Sequence, residues 1–276
     1  MMLASNDVSP KLRRLLLNGL SLALAGANVI MQLSRLPVGR GVVESTVESG
    51  SLYKHPIKRT RTTLGYIMIA LFGTQHERTV LQREINRQHQ SVHSGVGHDV
   101  EYNAFNPELQ LWVAACMYRG LQDAITFLYG RPDTETLDSL YQFSSRFATT
   151  LQTPESMWPV DRTAFEEYWD DSLQHVVMDD STRNYLYGIA SLGFLPTPFR
   201  SILGPPHRFI TAGFLPAIFR DELGLVWSSR RQHLFEYLIT IFAFLNRLLP
   251  WPLREFPWNI ALWDTRRRIR SARPIV

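Results

Sequence analysis

Asn106-Pro107-Glu108-Leu109-Gln110-Leu111-Trp112, running on to Tyr129 and halted at Gly130-Arg131-Pro132, reads as one long helix with both ends specified. Asn106 offers a side-chain oxygen to the free N–H groups of the first turn. Pro107 suits the first helical position, and Glu108 sits at the positive end of the helix dipole. The same periodicity recurs on either side. Downstream, helices are predicted over residues 133–150, 163–177 (approached through Pro159), 180–190, 208–223 and 228–249, with the Pro/Gly-rich stretch 193–206 as a long turn region. Upstream, residues 63–73 form an apolar run closed by a C-cap glycine. Residues 74–93 are polar, with Val80, Leu81, Ile85, His89 and Val92 at helical spacing. No alternating strand pattern, internal repeat or linker composition interrupts this series, so the expected fold is all-α, a single multi-helix domain over residues 1–276.

Composition narrows the function classes. Hydrophobic residues make up 45% of the 276 and charged residues 20%, which excludes intrinsic disorder. A net charge of +4 is too small to argue for nucleic acid. Cys116 is the one cysteine, so there is no internal disulfide and no multi-cysteine metal site. Gly-rich phosphate loops and the G-x-S-x-G nucleophile elbow are absent.

Residues 15–34 carry no charge and follow Arg13-Arg14; their length would just span a bilayer, and Ala23-Leu24-Ala25 resembles a signal-cleavage site. Asn18, Asn28 and Gln32 speak against lipid, which would leave their amides unsatisfied, and a buried core helix is the reading adopted. The apolar stretch 237–246 is too short to span and reads as a core helix, with a membrane-surface helix as the alternative. The basic tail over about 264–276, with Arg266, Arg267, Arg268, Arg270 and Arg273, reads as a solvated end of the chain; adhesion to acidic lipid or a partner is the sharper alternative. The expected location is cytoplasmic, with peripheral membrane contact as the fallback.

Two segments carry candidate chemistry. Arg59-Thr60-Arg61-Thr62-Thr63 precedes a helix otherwise free of charge, at the end of the dipole where cations are disfavoured. That mildly favours an anionic partner over two plain surface arginines. Downstream, His89 and His93 are i and i+4, on one face of a continuing helix, where they could grip a metal or simply be surface polar residues. Glu does not follow His89, so the H-E-x-x-H protease motif is excluded. A haem iron needs less: one axial imidazole, an apolar cavity and a few cations for the propionates. His89, with Ile85 and Val92 as helical neighbours, suits that role, and Arg59 or Arg61 could pair a propionate or poise a distal ligand. Spacing alone does not choose between His89 and His93. The other histidines read as surface or helix-end residues, and Cys116 as a small buried apolar residue.

Several segments, in order, resemble the oxygenase family that groups fungal MpaB-type oxygenases of the endoplasmic reticulum with bacterial latex-clearing (rubber) oxygenases. They are Leu24-Ala25-Gly26 through Gln32-Leu33 with Pro37-Val38 and Gly41-Val42; Arg59 to Thr63 leading into Gly73; Asn86-Arg87-Gln88-His89; Tyr102-Asn103-Ala104 with Asn106-Pro107-Glu108-Leu109; and Thr211-Ala212-Gly213-Phe214-Leu215-Pro216 with Arg220 and Trp227. The resemblance covers roughly residues 15–255. It implies a globin-like helical core around haem b, with His89 as axial and metal ligand and Arg59 and Thr63 as catalytic residues on the distal side; Arg59 and Arg61 stay cofactor-binding candidates on their own residue chemistry, with His93 as the competing ligand. It further implies O2 and an apolar substrate, isoprenoid or lipid in class, and a redox partner that it does not identify. The other ring nitrogen of His89 is expected to donate to a carbonyl or carboxylate. The sequence departs from the family pattern in places. Thr62 stands where rubber oxygenases place a lysine, Phe105 and Ala114 where the family often has an aspartate and a histidine, and Arg35 in place of a first-helix histidine. These departures motivate two competing expectations, a haem-binding sensor or carrier without turnover and a cofactor-free helical protein that sequesters lipid or a partner helix.

Overall fold

The computed structural model describes residues 8–275. Its spine is the helix with both ends specified in sequence. Asn106 Oδ1 accepts the N–H groups of Glu108 (2.8 Å) and Leu109 (3.3 Å), and Gly130, at φ 83°, ends the helix in a conformation that favours glycine. In chain order the first helices are α1 (Pro10–Leu16), α2 (Ala25–Leu33), α3 (Leu36–Val43), α4 (Pro56–Phe72), α5 (Gln75–His89) and the spine α6 (Pro107–Tyr129). There follow α7 (Thr134–Ser144), α8 (Arg146–Thr149), α9 (Arg162–Leu173), α10 (Asp180–Ala190), α11 (Thr197–Phe214), α12 (Ala217–Glu222), α13 (Ser229–Leu248), α14 (Trp251–Glu255) and α15 (Trp258–Arg270). The fold is all-α: no strand forms among the described residues, only the isolated bridges Arg35 to Val176 and His93 to Asn103. Helix α6 packs against α1, α2, α7, α8 and α13, and the core it organises draws on residues from Leu12 to Ile275.

Four expectations need correction. First, residues 15–34 are buried, but not as one helix. The Asn18 side chain accepts Leu20 N–H and donates to Tyr129 Oη at 2.7 Å, which ends α1 and starts a 3-10 turn over Gly19–Leu24 before α2. Gly19 lies so close to the Phe256 carbonyl that any Cβ would collide with it. The three amides that argued against lipid all find protein partners: besides Asn18, the Asn28 side chain donates to Cys116 O (2.6 Å) and that of Gln32 to Asn28 Oδ1 (2.6 Å). Among the described residues no single helix is long and apolar enough to cross a membrane; α1 with Gly19–Leu33 passes that test only as a pair bent by 47°.

Second, the stretch 193–206 is not all turn, because α11 begins at Thr197 and contains Pro205 and Pro206. The helix tolerates prolines there because this half of it stands exposed, where water can take the carbonyls that the missing N–H groups would have bonded. The predicted helix 208–223 is correspondingly split between α11 and α12 at Leu215-Pro216. Third, α5 ends at His89 rather than running to residue 93, since Ser94 N–H and Ala104 N–H pair with Tyr102 O and Val92 O and draw the chain into an extended bridge. Fourth, the basic tail is no loose solvated end. Its first half, to Arg270, is the end of α15, which buries Ala261, Leu262 and Thr265 and makes the most extensive helix contact with α4, while Arg267, Arg270 and Arg273 are exposed as expected. Gly65 of α4 faces Thr265 at a spacing that leaves no room for a Cβ. Arg266 pairs with Glu77 at 3.0 Å and donates to Phe72 O, so α15 is fastened to the α4–α5 corner.

Candidate functional site

Helix α4 begins at Pro56 with no acidic residue in its first turn, so Lys58, Arg59 and Arg61 stand at the positive end of the dipole. Arg59 and Thr63 are four residues apart and share one face, and Thr63 Oγ1 donates to Arg59 O at 3.0 Å. Arg61 lies roughly 200° around the helix from Arg59, on the side of Gly65 and hence of α15. Its Nε is buried without a hydrogen-bond partner. Thr62 is buried and donates to Lys58 O.

Arg59 keeps accessible surface, yet desolvation by the surrounding protein holds its guanidinium below the ordinary value, with Tyr185 of α10 pulling partly the other way. Tyr185 belongs to a group in which the Tyr53 ring sits 5.1 Å from it and donates through its hydroxyl to Tyr185 O at 3.2 Å. Sequence reading placed the helix of Tyr185 but not its role beside Arg59. The nearness of Tyr185 to Arg59 is a tertiary fact that no spacing along either helix reveals.

His89 is the last residue of α5, and the sequence fixes its place through side-chain amides. Thr74 and Glu77 form a reciprocal capping box at the start of α5. Near its end, Gln152 donates to Asn86 Oδ1, and Gln110 of α6 donates to Gln152 Oε1 (2.7 Å) and Ala104 O (2.7 Å). Gln82 donates to Leu151 O at 2.7 Å. The loop after Ala104 carries Phe105, whose N–H is held by Asn103 Oδ1 and whose ring stands edge-on to His89 at 6.1 Å.

The Nδ1 of His89 is buried with no hydrogen-bond partner, so the carbonyl or carboxylate expected to receive a proton from this ring is not found at that nitrogen. Phe105 occupies the neighbouring space with an apolar ring. Burial first, and the Arg59 charge second, push the His89 pKa down to about 4, so the imidazole is neutral at physiological pH. That is the ligating form of the side chain. The Arg59 charge is thus felt at His89 of α5 and at Tyr185 of α10, which couples the start of α4 electrostatically to both.

His93 does not join them. It is exposed beyond the end of α5, its Nδ1 lies 3.2 Å from Ser94 O, and the continuing helix that would have put it on the face of His89 does not form. Among the described residues no group of three or more His, Cys, Asp or Glu is arranged to hold a metal ion. A haem iron asks for a single protein imidazole, so that finding bears on other metal centres and not on this one. Cys116 is a buried free thiol pushed well above its ordinary pKa by burial, as expected of a core residue.

Residues 12–244 match the family described as ER-bound oxygenase mpaB/B'/rubber oxygenase, catalytic domain. The chain belongs to this oxygenase family. An uncharacterized protein of Mycobacterium tuberculosis and one of Mycobacterium bovis are each 47% identical to it over 253 residues, spanning 92% of this chain and 99% of the relative. No solved structure matches. Membership supports an oxygenase-type function, and the matched span contains every candidate site residue from Arg59 to His93.

Proposed function

We propose that this chain is a haem b-dependent oxygenase that acts with O2 on an apolar substrate, isoprenoid or lipid in class, with His89 as the protein ligand of the iron. The observation that carries this reading is a half-buried imidazole at a helix end pinned by an amide network, whose buried Nδ1 is claimed by no protein group. Leaving a buried polar atom unpaired costs about 1–3 kcal/mol, so such an atom in a family of oxygenases calls for a functional explanation. The residues present fit haem: one uncommitted imidazole, a cation on the facing helix and partly buried apolar side chains (Leu64, Ile67, Ile85) packed against the core nearby. Haem b, when bound, supplies an iron centre able to activate dioxygen, chemistry that belongs to the cofactor.

The chain's own contributions follow from its geometry. His89 holds and orients the cofactor from the end of α5. Arg59 presents a permanent cation at a desolvated position, where reduced solvent screening strengthens its stabilisation of negative charge growing on oxygen. Thr63 keeps Oγ1 lone pairs on the same face while its proton is engaged with Arg59 O. Arg61, with an unpaired buried Nε, is the candidate for a propionate, although it projects from the α15 side of α4. His93 is left outside the reading as a ligand.

An absorption spectrum over about 300–700 nm, recorded on the purified protein with added haem before and after dithionite, tests this. A Soret band that shifts on reduction and is lost in His89→Ala but kept in His93→Ala is the expected result. A flat spectrum, or a His89→Ala variant with unchanged haem content and spectrum, overturns it. Phe105 favours one second reading, haem binding without turnover. It puts an apolar ring beside His89 where the family often carries an aspartate, and so leaves the ligand without the carboxylate that would raise its basicity. Ferrous protein that binds carbon monoxide but leaves polyisoprenoid alkenes intact would select that reading.

A further inference from the structure

Helix α13 buries Phe235, Ile239, Ala243 and Asn246 against α6 and α11, a repeat of three to four residues that uses one face only. Its C-terminal half leaves large apolar side chains outside: Phe244 is 61% exposed and Leu248 67%. The exposure continues around the corner into α14 and α15, where Leu253 is 60%, Phe256 54% and Trp263 56% exposed. This corner is built rather than loose. Arg254 donates to Arg247 O (2.6 Å) and Leu249 O (2.8 Å), and Asn259 to Pro252 O (3.3 Å), tying α13, α14 and α15 together. Scattered apolar residues on a surface are ordinary; a run of them on three joined helices marks an interaction site.

Charge identifies the occupant. Residues 247–273, which form the corner, contain seven arginines and no lysine against Glu255 and Asp264, a net +5, while the chain as a whole is +4, so the remaining residues sum to −1. Two of those arginines have acidic partners, Arg266 with Glu77 and Arg268 with Asp264. Others stand over indole rings, Arg267 5.4 Å from the Trp263 ring centre and Arg254 6.0 Å from that of Trp251, which Arg14 of α1 also approaches at 5.7 Å. Tryptophan beside arginine at the rim of an apolar patch matches the headgroup layer of a bilayer, where indoles and long cationic side chains settle. A second copy of the chain fits less well, because a two-fold interface would set this cationic face against itself.

We infer that the α13–α14–α15 corner is a docking surface for an anionic lipid bilayer, with Phe244, Leu248, Leu253 and Phe256 entering the acyl boundary and the arginines meeting the headgroups. This surface is distinct from the haem reading and holds whether or not that reading does.

Flotation of the full chain with vesicles tests it, comparing pure phosphatidylcholine with phosphatidylcholine containing phosphatidylglycerol. The chain is expected to float with the anionic vesicles and to be released by salt. Leu248→Asp/Leu253→Asp should weaken that partitioning by about tenfold or more, and Arg267→Gln/Arg270→Gln by roughly fivefold per arginine, with unchanged melting temperature because all four side chains sit outside the core. Leu248→Ser/Leu253→Ser provides a milder pair should the aspartates perturb folding. Wild-type protein that stays in solution with both vesicles overturns the proposal, as does equal binding to neutral vesicles. A dimer in light scattering that the leucine variants dissolve, with vesicle binding unaltered by them, would overturn it in favour of a contact between copies.

Discussion

Helices α4 and α13 are both long and both rich in apolar residues, yet their fates differ. From Met68 to Phe72 α4 is buried at every position, enclosed by α5, α8 and α15, while α13 buries one residue in three or four and shows the rest to solvent. Composition does not separate them; neighbours do. Each helix then displays its own anomaly. In α4 the residues that need explaining are polar: Arg59, desolvated, and Arg61, with an unpaired nitrogen. In α13 they are apolar and uncovered. Unexplained polarity inside points to chemistry, and unexplained apolarity outside points to a partner.

Ile69 is fully buried in α4, and Ile69→Ala should cost about 3 kcal/mol in denaturant unfolding; a loss below 1 kcal/mol would mean that α4 is not enclosed as described. Next comes a carboxylate on α6, the helix on which α13 rests. Burial raises the Asp123 pKa to about 6, with Arg119 opposing and Glu166 adding to the shift. A carboxyl with a folded pKa above its unfolded value binds more protons when folded, so its contribution is best below the unfolded value. It deteriorates as pH rises through the folded pKa. Asp123→Asn should therefore gain about 1–2 kcal/mol of stability at pH 7–8 relative to wild type, and that gain should vanish near pH 4. A pH-independent difference between the two melting curves would refute the assignment.

A smaller effect belongs to the fastening of α15. A double-mutant cycle on Arg266→Gln and Glu77→Gln should give a coupling of about 0.5–1 kcal/mol, since the pair is partly exposed. A coupling of zero would leave the Gly65–Thr265 contact as the main link to α4. Smallest of all, Leu248→Ser on the open side of α13 should change folding stability by less than about 0.5 kcal/mol. A loss of 2 kcal/mol would show that this side is covered within the monomer.

How much of this was legible in the residues depends on whether the deciding contact was local. The Asn106 cap, the start and stop of α6, the span of α10 and the shared face of Arg59 and Thr63 all follow from groups within four residues of one another. The oxygenase family was likewise readable, from short motifs in a fixed order. What escaped was set by distant partners. Tyr129 and Phe256 break the first hydrophobic stretch at Asn18-Gly19, and Tyr102 and Ala104 stop α5 before His93. The arginines of α15 outvoted its buried Ala261, Leu262 and Thr265 in the sequence reading. The orphaned Nδ1 of His89 and the nearness of Tyr185 to Arg59 could not be read at all, because each depends on which helices face one another.

The lock between Gly65 and Thr265 also has a consequence in time. Thr265 is made about 200 residues after Gly65, and at a synthesis rate of roughly 5–20 residues per second α4 waits some 10–40 s for the helix that covers it. During that interval the strip of α4 around Gly65 stays open, while α5 and α8 are already made and can cover the rest. The same small-residue contact that fits α15 so closely onto α4 thus makes closure of this side of α4 a late event in synthesis, after the residues of the candidate site are already in place along the chain.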